Sequence, residues 1–265
     1  MRAVRGFAGL GRSSAVALAL LAVLAAAGCR SSRSANTTDL SSAVATSAPV
    51  SAEAAGSVGT ASAVVPRYLA AAATGSAVVA RSEPSLAGRE VVRLANPLPS
   101  GAPLTFLVVD QTPGWYQVQL PVRPNGATGW VSAGDVSTIG LTYRVEVELG
   151  RKQVTVFDGD DVVLRAPVAI GVEPTPTPGG TFYLLELLET PDPNGAYGPL
   201  AFGLSGFSET LTSFAGGDGQ LGLHGTNDPG SLGTSVSKGC IRVSNDTIVE
   251  LAELLPLGTP ITILG

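Results

Sequence analysis

Polar and apolar residues alternate through Tyr143-Arg144-Val145-Glu146-Val147-Glu148-Leu149, turn at Gly150-Arg151-Lys152, and alternate again through Gln153-Val154-Thr155-Val156-Phe157. A period of two puts one face of each strand in a core and the other in water, so this stretch predicts a half-buried hairpin. The turn Asp158-Gly159-Asp160-Asp161 leads into a further apolar run, Val162 to Val168, and Phe182 to Leu188 predicts another strand. In Gln220-Leu221-Gly222-Leu223-His224-Gly225, Leu221 and Leu223 point to the core and His224 to the opposite face at the strand end. Near the C-terminus the spacing changes to that of a helix. Ile248, Leu251, Ala252 and Leu255 form one stripe, Ser244, Asn245 and Asp246 offer N-caps, and Pro256 ends it before a last strand, Thr259 to Leu264. The Gly-, Pro- and Ser-rich stretch from Pro191 to Gly219 reads as a lid or binding loop, or as irregular strands around Leu200 to Leu204.

Upstream, from Glu83 to Ile139, apolar runs are shorter: Val91 to Leu94, Leu104 to Val109, Trp115 to Leu120, Gly129 to Val131. Pro99-Ser100-Gly101, Thr112-Pro113-Gly114 and Pro124-Asn125-Gly126 separate them, which predicts a small antiparallel barrel over 83–139. The Trp115-Tyr116 strand followed by Gly129-Trp130-Val131 resembles a bacterial SH3-like domain, and that resemblance implies a site for cell-wall peptide. In a unit this small, Trp115, Tyr116 and Trp130 are expected to form the core.

The N-terminus carries Arg2, Arg5 and Arg12 and then an apolar run from Ala15 to Ala27, shorter than the roughly 20 residues a membrane-spanning helix needs. Residues 1–28 read as a secretory signal. Its end, Leu24-Ala25-Ala26-Ala27-Gly28-Cys29, resembles a bacterial lipobox, which implies lipidation at Cys29 and a membrane anchor. Residues 29–82 read as a disordered Ser/Ala-rich tether, too poor in apolar mass to offset the entropy of ordering. Within it, Val64 to Ala80 reads as one short helix or as more linker.

Charged residues make up 14% and aromatics 5% of the chain while Gly and Pro are abundant, so a helical bundle is disfavoured. Removal of the three leader arginines takes the net charge from −5 to −8, and an acidic surface repels phosphate backbones, which argues against nucleic acid as a partner. One histidine and one cysteine beyond the leader supply too few ligands for zinc, and the acidic hairpin tip lacks the spacing of a calcium loop. Neither a metal nor another cofactor is expected.

The chemistry concentrates at His224-Gly225-Thr226 and Ser237-Lys238-Gly239-Cys240-Ile241-Arg242. A thiolate is a strong nucleophile, and an imidazole close enough to take the thiol proton generates it near neutral pH. With Cys29 lipidated, Cys240 is a lone thiol in an exported protein. A redox role is disfavoured because no second cysteine remains to resolve a sulfenic acid or mixed disulfide.

These two motifs, with the strand-rich frame from Leu141 to Leu264, resemble the YkuD-type L,D-transpeptidases of bacterial cell walls. The resemblance implies a mainly β architecture: the SH3-like barrel, then a catalytic β-sandwich over 141–265 with one short C-terminal helix. It implies Cys240 as nucleophile, His224 as proton donor and acceptor, Gly239 with Cys240 as backbone oxyanion donors, and Ser237 as support of the turn. Arg242, Lys238, Gly225 and Thr226 would meet the substrate. Peptidoglycan stem peptides would be the partners and carbapenem-type drugs the inhibitors. Cross-linking, hydrolysis by the same cysteine as an L,D-carboxypeptidase, and noncatalytic wall binding are the functions open to such a chain, at the outer face of the membrane or in the wall. The family usually has histidine where this chain has Lys238, whose ammonium keeps a cation next to the thiol.

Overall fold

A computed structural model describes residues 2–3, 65–213 and 217–265. Apart from Arg2–Ala3, the expected signal, the lipidation site Cys29 and the tether as far as residue 64 lie outside the described residues. The two residues Arg2–Ala3 form β1. Seven strands follow: β2 (Tyr68–Ala73), β3 (Ala77–Arg81), β4 (Glu90–Ala95), β5 (Thr105–Thr112), β6 (Trp115–Gln119), β7 (Thr128–Ser132) and β8 (Val136–Leu141). They make one antiparallel sheet of order β4-β3-β7-β6-β5-β2-β8.

Two strands of this sheet fall inside the stretch expected to be tether. β2 joins β5 to β8, and β3 joins β4 to β7, so the ordered part starts before Tyr68 and not at Glu83. The alanines that gave this segment the look of a linker are packing residues. Ala70, Ala71, Val78 and Ala80 are at most 1% exposed. A methyl group on Gly258 would come within 2.4 Å of Ala70 Cβ, so the contact there tolerates nothing larger. The aromatic core expected for this unit is corrected too. Leu104, Phe106, Leu107, Val118, Leu120 and Val131 fill it, while Trp115, Tyr116 and Trp130 are only half-buried.

The second half begins with β9 (Tyr143–Glu148), β10 (Gln153–Asp158) and β11 (Asp161–Pro167). The first pair is the hairpin that the alternation predicts, with Val145 opposite Val156 and Val147 opposite Val154. Then come β12 (Ile170–Gly171), β13 (Gly180–Glu189), β14 (Leu200–Phe207), β15 (Gln220–His224), β16 (Ser235–Ser237), β17 (Ile241–Arg242), α1 (Asn245–Leu254) and β18 (Pro260–Leu264). The long sheet runs β11-β10-β9-β18-β13-β14-β15-β17, with β1 also against β13. β13 serves two neighbours in turn: Gly180–Tyr183 pair with β18, and the stretch from Leu184 to Glu189 pairs with β14. Val145, Val156, Phe182, Leu184, Phe202, Leu223, Ile248 and Leu251 share one buried core. The helix starts where expected: the Ser244 hydroxyl accepts from the Thr247 amide at 3.1 Å.

β13 also ties the halves together. Phe182 and Leu184 enter the core of the second half, whereas the intervening Tyr183 and Leu185 enter the core of the N-terminal sheet. Among the described residues no helix is long and apolar enough to cross a membrane.

Candidate active site

His224 closes β15, and β17 lies parallel to it with Leu223 opposite Ile241 and His224 opposite Arg242. Continued one residue back, that register sets Cys240 beside Gly222. Gly222 has no side chain, and its bare surface is where the two reactive groups meet. A methyl group there would lie 3.6 Å from His224 Cδ2 and 3.7 Å from Cys240 Sγ. His224 Cδ2 and the Cys240 thiol thus flank the same bare backbone.

The other edge of the imidazole fixes the tautomer. His224 Nδ1 sits 2.6 Å from the Gly225 carbonyl, which only accepts, so Nδ1 carries the proton and Nε2 is left as the base. The Tyr197 ring packs on the imidazole at 4.6 Å between centroids. Burial lowers the His224 pKa to about 4, against the Gly225 hydrogen bond that raises it, and the nearby Arg242 cation lowers it further. Burial raises the Cys240 thiol, offset in part by the Gly222 amide and then by Arg242, both of which favour thiolate. At neutral pH the pair thus rests as thiol and neutral imidazole.

The turn carrying Cys240 is held from three sides. Ser237 Oγ donates to the Cys240 carbonyl at 2.5 Å and accepts from the Gly239 amide at 3.2 Å. Thr177 Oγ1 donates to the Gly239 carbonyl at 2.9 Å. Gly239 has φ of +111°, a conformation that L side chains rarely adopt. The amide of Gly239, expected to donate to an oxyanion, is engaged by Ser237 in this arrangement.

Two cavities meet at the pair. One, of about 290 Å³, is lined by Glu186, Leu188, Gly203, Gln220 and Gly222 among others. The second, of about 230 Å³, is lined by Ala196, Val236, Ser237, Lys238 and Arg242. Tyr197, His224 and Cys240 line both. A wider depression of about 670 Å³ on the N-terminal sheet, lined by Arg67, Tyr68 and Asp110 among others, has neither cysteine nor histidine in its lining. Lys238 is exposed, while Arg242 is half-buried with its Nε out of water and without a hydrogen-bond partner.

Gly225 and Thr226, expected to meet substrate, line neither cavity. They are structural. The Thr226 amide donates to Asn245 Oδ1 at 2.8 Å, and a methyl group on Gly225 would strike that same oxygen at 2.4 Å. Sequence reasoning did not assign Tyr197, Gly222 or Thr177 to the site, and took Asn245 only as a helix-cap candidate. Gly222 alone carried a signal, as a glycine inside a strand two residues before the histidine.

A histidine and a free cysteine beside one glycine, at the junction of two clefts, is an arrangement that fits acyl transfer through a nucleophile and a base. A family model described as the L,D-transpeptidase catalytic domain, YkuD, matches residues 142–263. The YkuD protein of Bacillus licheniformis is 33% identical over 154 residues, which cover 56% of this chain and 85% of that one. That of Bacillus subtilis is 36% identical over 123 residues, 46% of this chain and 66% of that one. The chain belongs to the YkuD L,D-transpeptidase family. Among solved structures, an L,D-transpeptidase from Mycobacterium smegmatis is similar at 20% identity over 59% of this chain and 80% of that one, with a TM-score of 0.40.

Proposed function

We propose that this chain is a cysteine-dependent peptidoglycan L,D-transpeptidase acting outside the cytoplasm, anchored by lipid at Cys29. The observation that carries the reading is the placement of Cys240 Sγ and the His224 ring side by side over Gly222, where two cavities join. Cys240 attacks the carbonyl of the diamino residue in a donor tetrapeptide stem while Nε2 takes the thiol proton. The tetrahedral oxyanion collapses, the C–N bond breaks, His224 gives its proton to the departing D-alanine amine, and a thioester remains. The amine of a second stem then attacks the thioester, His224 accepts its proton, and the thiol is regenerated with a 3→3 cross-link formed. Water in place of the amine gives L,D-carboxypeptidase activity. Arg242 and Lys238 make the smaller cavity cationic, which suits the carboxylate of the departing D-alanine. The SH3-like reading of the N-terminal sheet, with a role in wall binding, belongs to the same proposal.

The test is intact mass after incubation with a carbapenem, for the wild-type chain and for Cys240→Ala. A stoichiometric adduct present in the first and absent in the second is expected. A folded wild-type protein that takes up no adduct returns the chain to the noncatalytic wall-binding reading.

A further inference from the structure

Glu186 is 7% exposed, lines the larger cavity with Cys240, and has no cationic partner among the described residues. Its Oε2 accepts from the Ser100 hydroxyl of the N-terminal sheet. Its Oε1 has no hydrogen-bond donor among the described residues and is open to the cleft. A methyl group on Gly203 would lie 2.7 Å from Oε1, so that oxygen overhangs the bare backbone of β14. The β-bulge between Leu184 and Glu186 puts it there, with Glu186 opposite Gly203. Gly203 in turn lies opposite Gly222, where the thiol sits. Glu186, Gly203, Gly222 and Cys240 thus form one row across four strands, open to the cleft at its two glycines.

A carboxylate oxygen that opens into a narrow cleft with no protein cation beside it is complementary to a ligand ammonium, which would form a charge-assisted hydrogen bond there. We propose that Glu186 is the specificity-determining residue that recognises the side-chain ammonium of the diamino residue in the donor stem. The proposal rests on the transpeptidase reading above. Length supports it. Neighbouring strands are about 4.8 Å apart, so the Gly203 and Gly222 positions set Oε1 and Sγ no more than roughly 12 Å from each other. From the attacked carbonyl carbon of a diamino residue to its terminal nitrogen is six bonds, about 7 Å extended. A charge-assisted hydrogen bond adds about 2.8 Å, and the approach of sulfur to carbon about 3 Å. One diamino side chain therefore reaches from the thiol to Glu186, and a neutral or shorter residue leaves the carboxylate uncompensated. Recognition of this kind discriminates, because the analogue lacking the amine displaces water from Oε1 without replacing its hydrogen bond.

Binding and acylation test it separately. In the Cys240→Ala background, titration with a tetrapeptide stem is expected to show affinity falling at least about tenfold when the side-chain amine is acetylated, and Glu186→Gln is expected to erase that preference. With the active chain, the thioester should form at least about tenfold faster from the free-amine donor, with the preference again lost in Glu186→Gln. If Glu186→Gln leaves thioester formation alone and lowers only the partition of the thioester towards amine over water, the ammonium recognised is the acceptor's, and the donor assignment is overturned. Equal binding of free and acetylated stems by the Cys240→Ala protein, read without any change at Glu186, overturns the proposal even if Glu186→Gln does not fold. Absence of thioester from every donor sinks the transpeptidase reading instead, and the binding titration still decides the role of Glu186.

Discussion

Arg123, in the loop between β6 and β7, donates through Nη2 to the Asp218 carbonyl at 2.9 Å. The same guanidinium reaches the Ser208 carbonyl at 2.7 Å and the Leu211 carbonyl at 3.0 Å, and lies 5.0 Å from the centre of the Phe207 ring. Both ends of the stretch between β14 and β15 are thereby tied to the N-terminal sheet, and one end, Gly217 to Gly219, lines the cavity beside Cys240. Arg123→Ala is expected to destabilise the chain by about 1 kcal/mol, given how exposed the arginine is, and to speed amide exchange at Thr210 and Leu211. Hydrogen-exchange mass spectrometry reads this directly, and unchanged protection there contradicts the clamp.

The imidazole sets a pH limit on stability. His224 titrates near 4 in the folded chain against an ordinary 6.5, so between those values the unfolded chain binds more protons. Stability is complete above about pH 6.5 and falls as the pH drops towards 4, by roughly 3 kcal/mol at most. His224→Asn should flatten this slope in urea titrations at pH 4.5 and 7. Acylation by a carbapenem should accordingly hold steady between pH 5 and 7 and not drop at the usual histidine midpoint.

Arg242 is the cation closest in effect to both reacting groups. Replacing it by Gln removes a charge that favours thiolate, so the thiol pKa rises further and the alkaline rise of thiol alkylation moves to higher pH. The histidine pKa moves up as well, since Arg242 depresses it. Acylation should slow by about tenfold or more, because one charge-assisted contact to a carboxylate is worth that much. Lys238, exposed at the same cavity, should matter less: Lys238→His is expected to change acylation within about fivefold.

Gly239→Ala separates backbone strain from crowding. A methyl group there has room, with Leu221 Cδ2 nearest at 3.6 Å, but φ of +111° opposes it. A loss of about 1–3 kcal/mol in stability follows from the strain alone. Any relaxation pulls the Gly239 amide from Ser237 and swings Cys240, so acylation should fall together with melting temperature.

The long strands, the helix and the reactive pair were legible because each is local. A period of two marked β9 and β10, Ser244 marked the start of α1, and His-Gly with Ser-x-Gly-Cys-x-Arg marked the turn that presents the thiol. What escaped depends on partners distant in sequence. Ala70 looks like linker until Gly258 is seen against it. Tyr197 becomes a site residue only when Gly198 and Gly225 pack so closely that a methyl group on either strikes Asn245 Oδ1. Glu186 is one more acid in a strand until its register with two glycines is known. Gly225 and Thr226 were assigned to substrate because they follow the histidine, whereas packing takes them inward.

β13 gives alternate residues to two cores, and this bears on how such a chain can be assembled from parts. A front half exchanged by recombination ahead of residue 141 inherits the duty of covering Tyr183 and Leu185, both at most 5% exposed. Most unrelated sheets would leave that tyrosine and leucine facing water. The junction is thus a filter on domain shuffling, passing only partners whose inner face already fits one side of a catalytic strand.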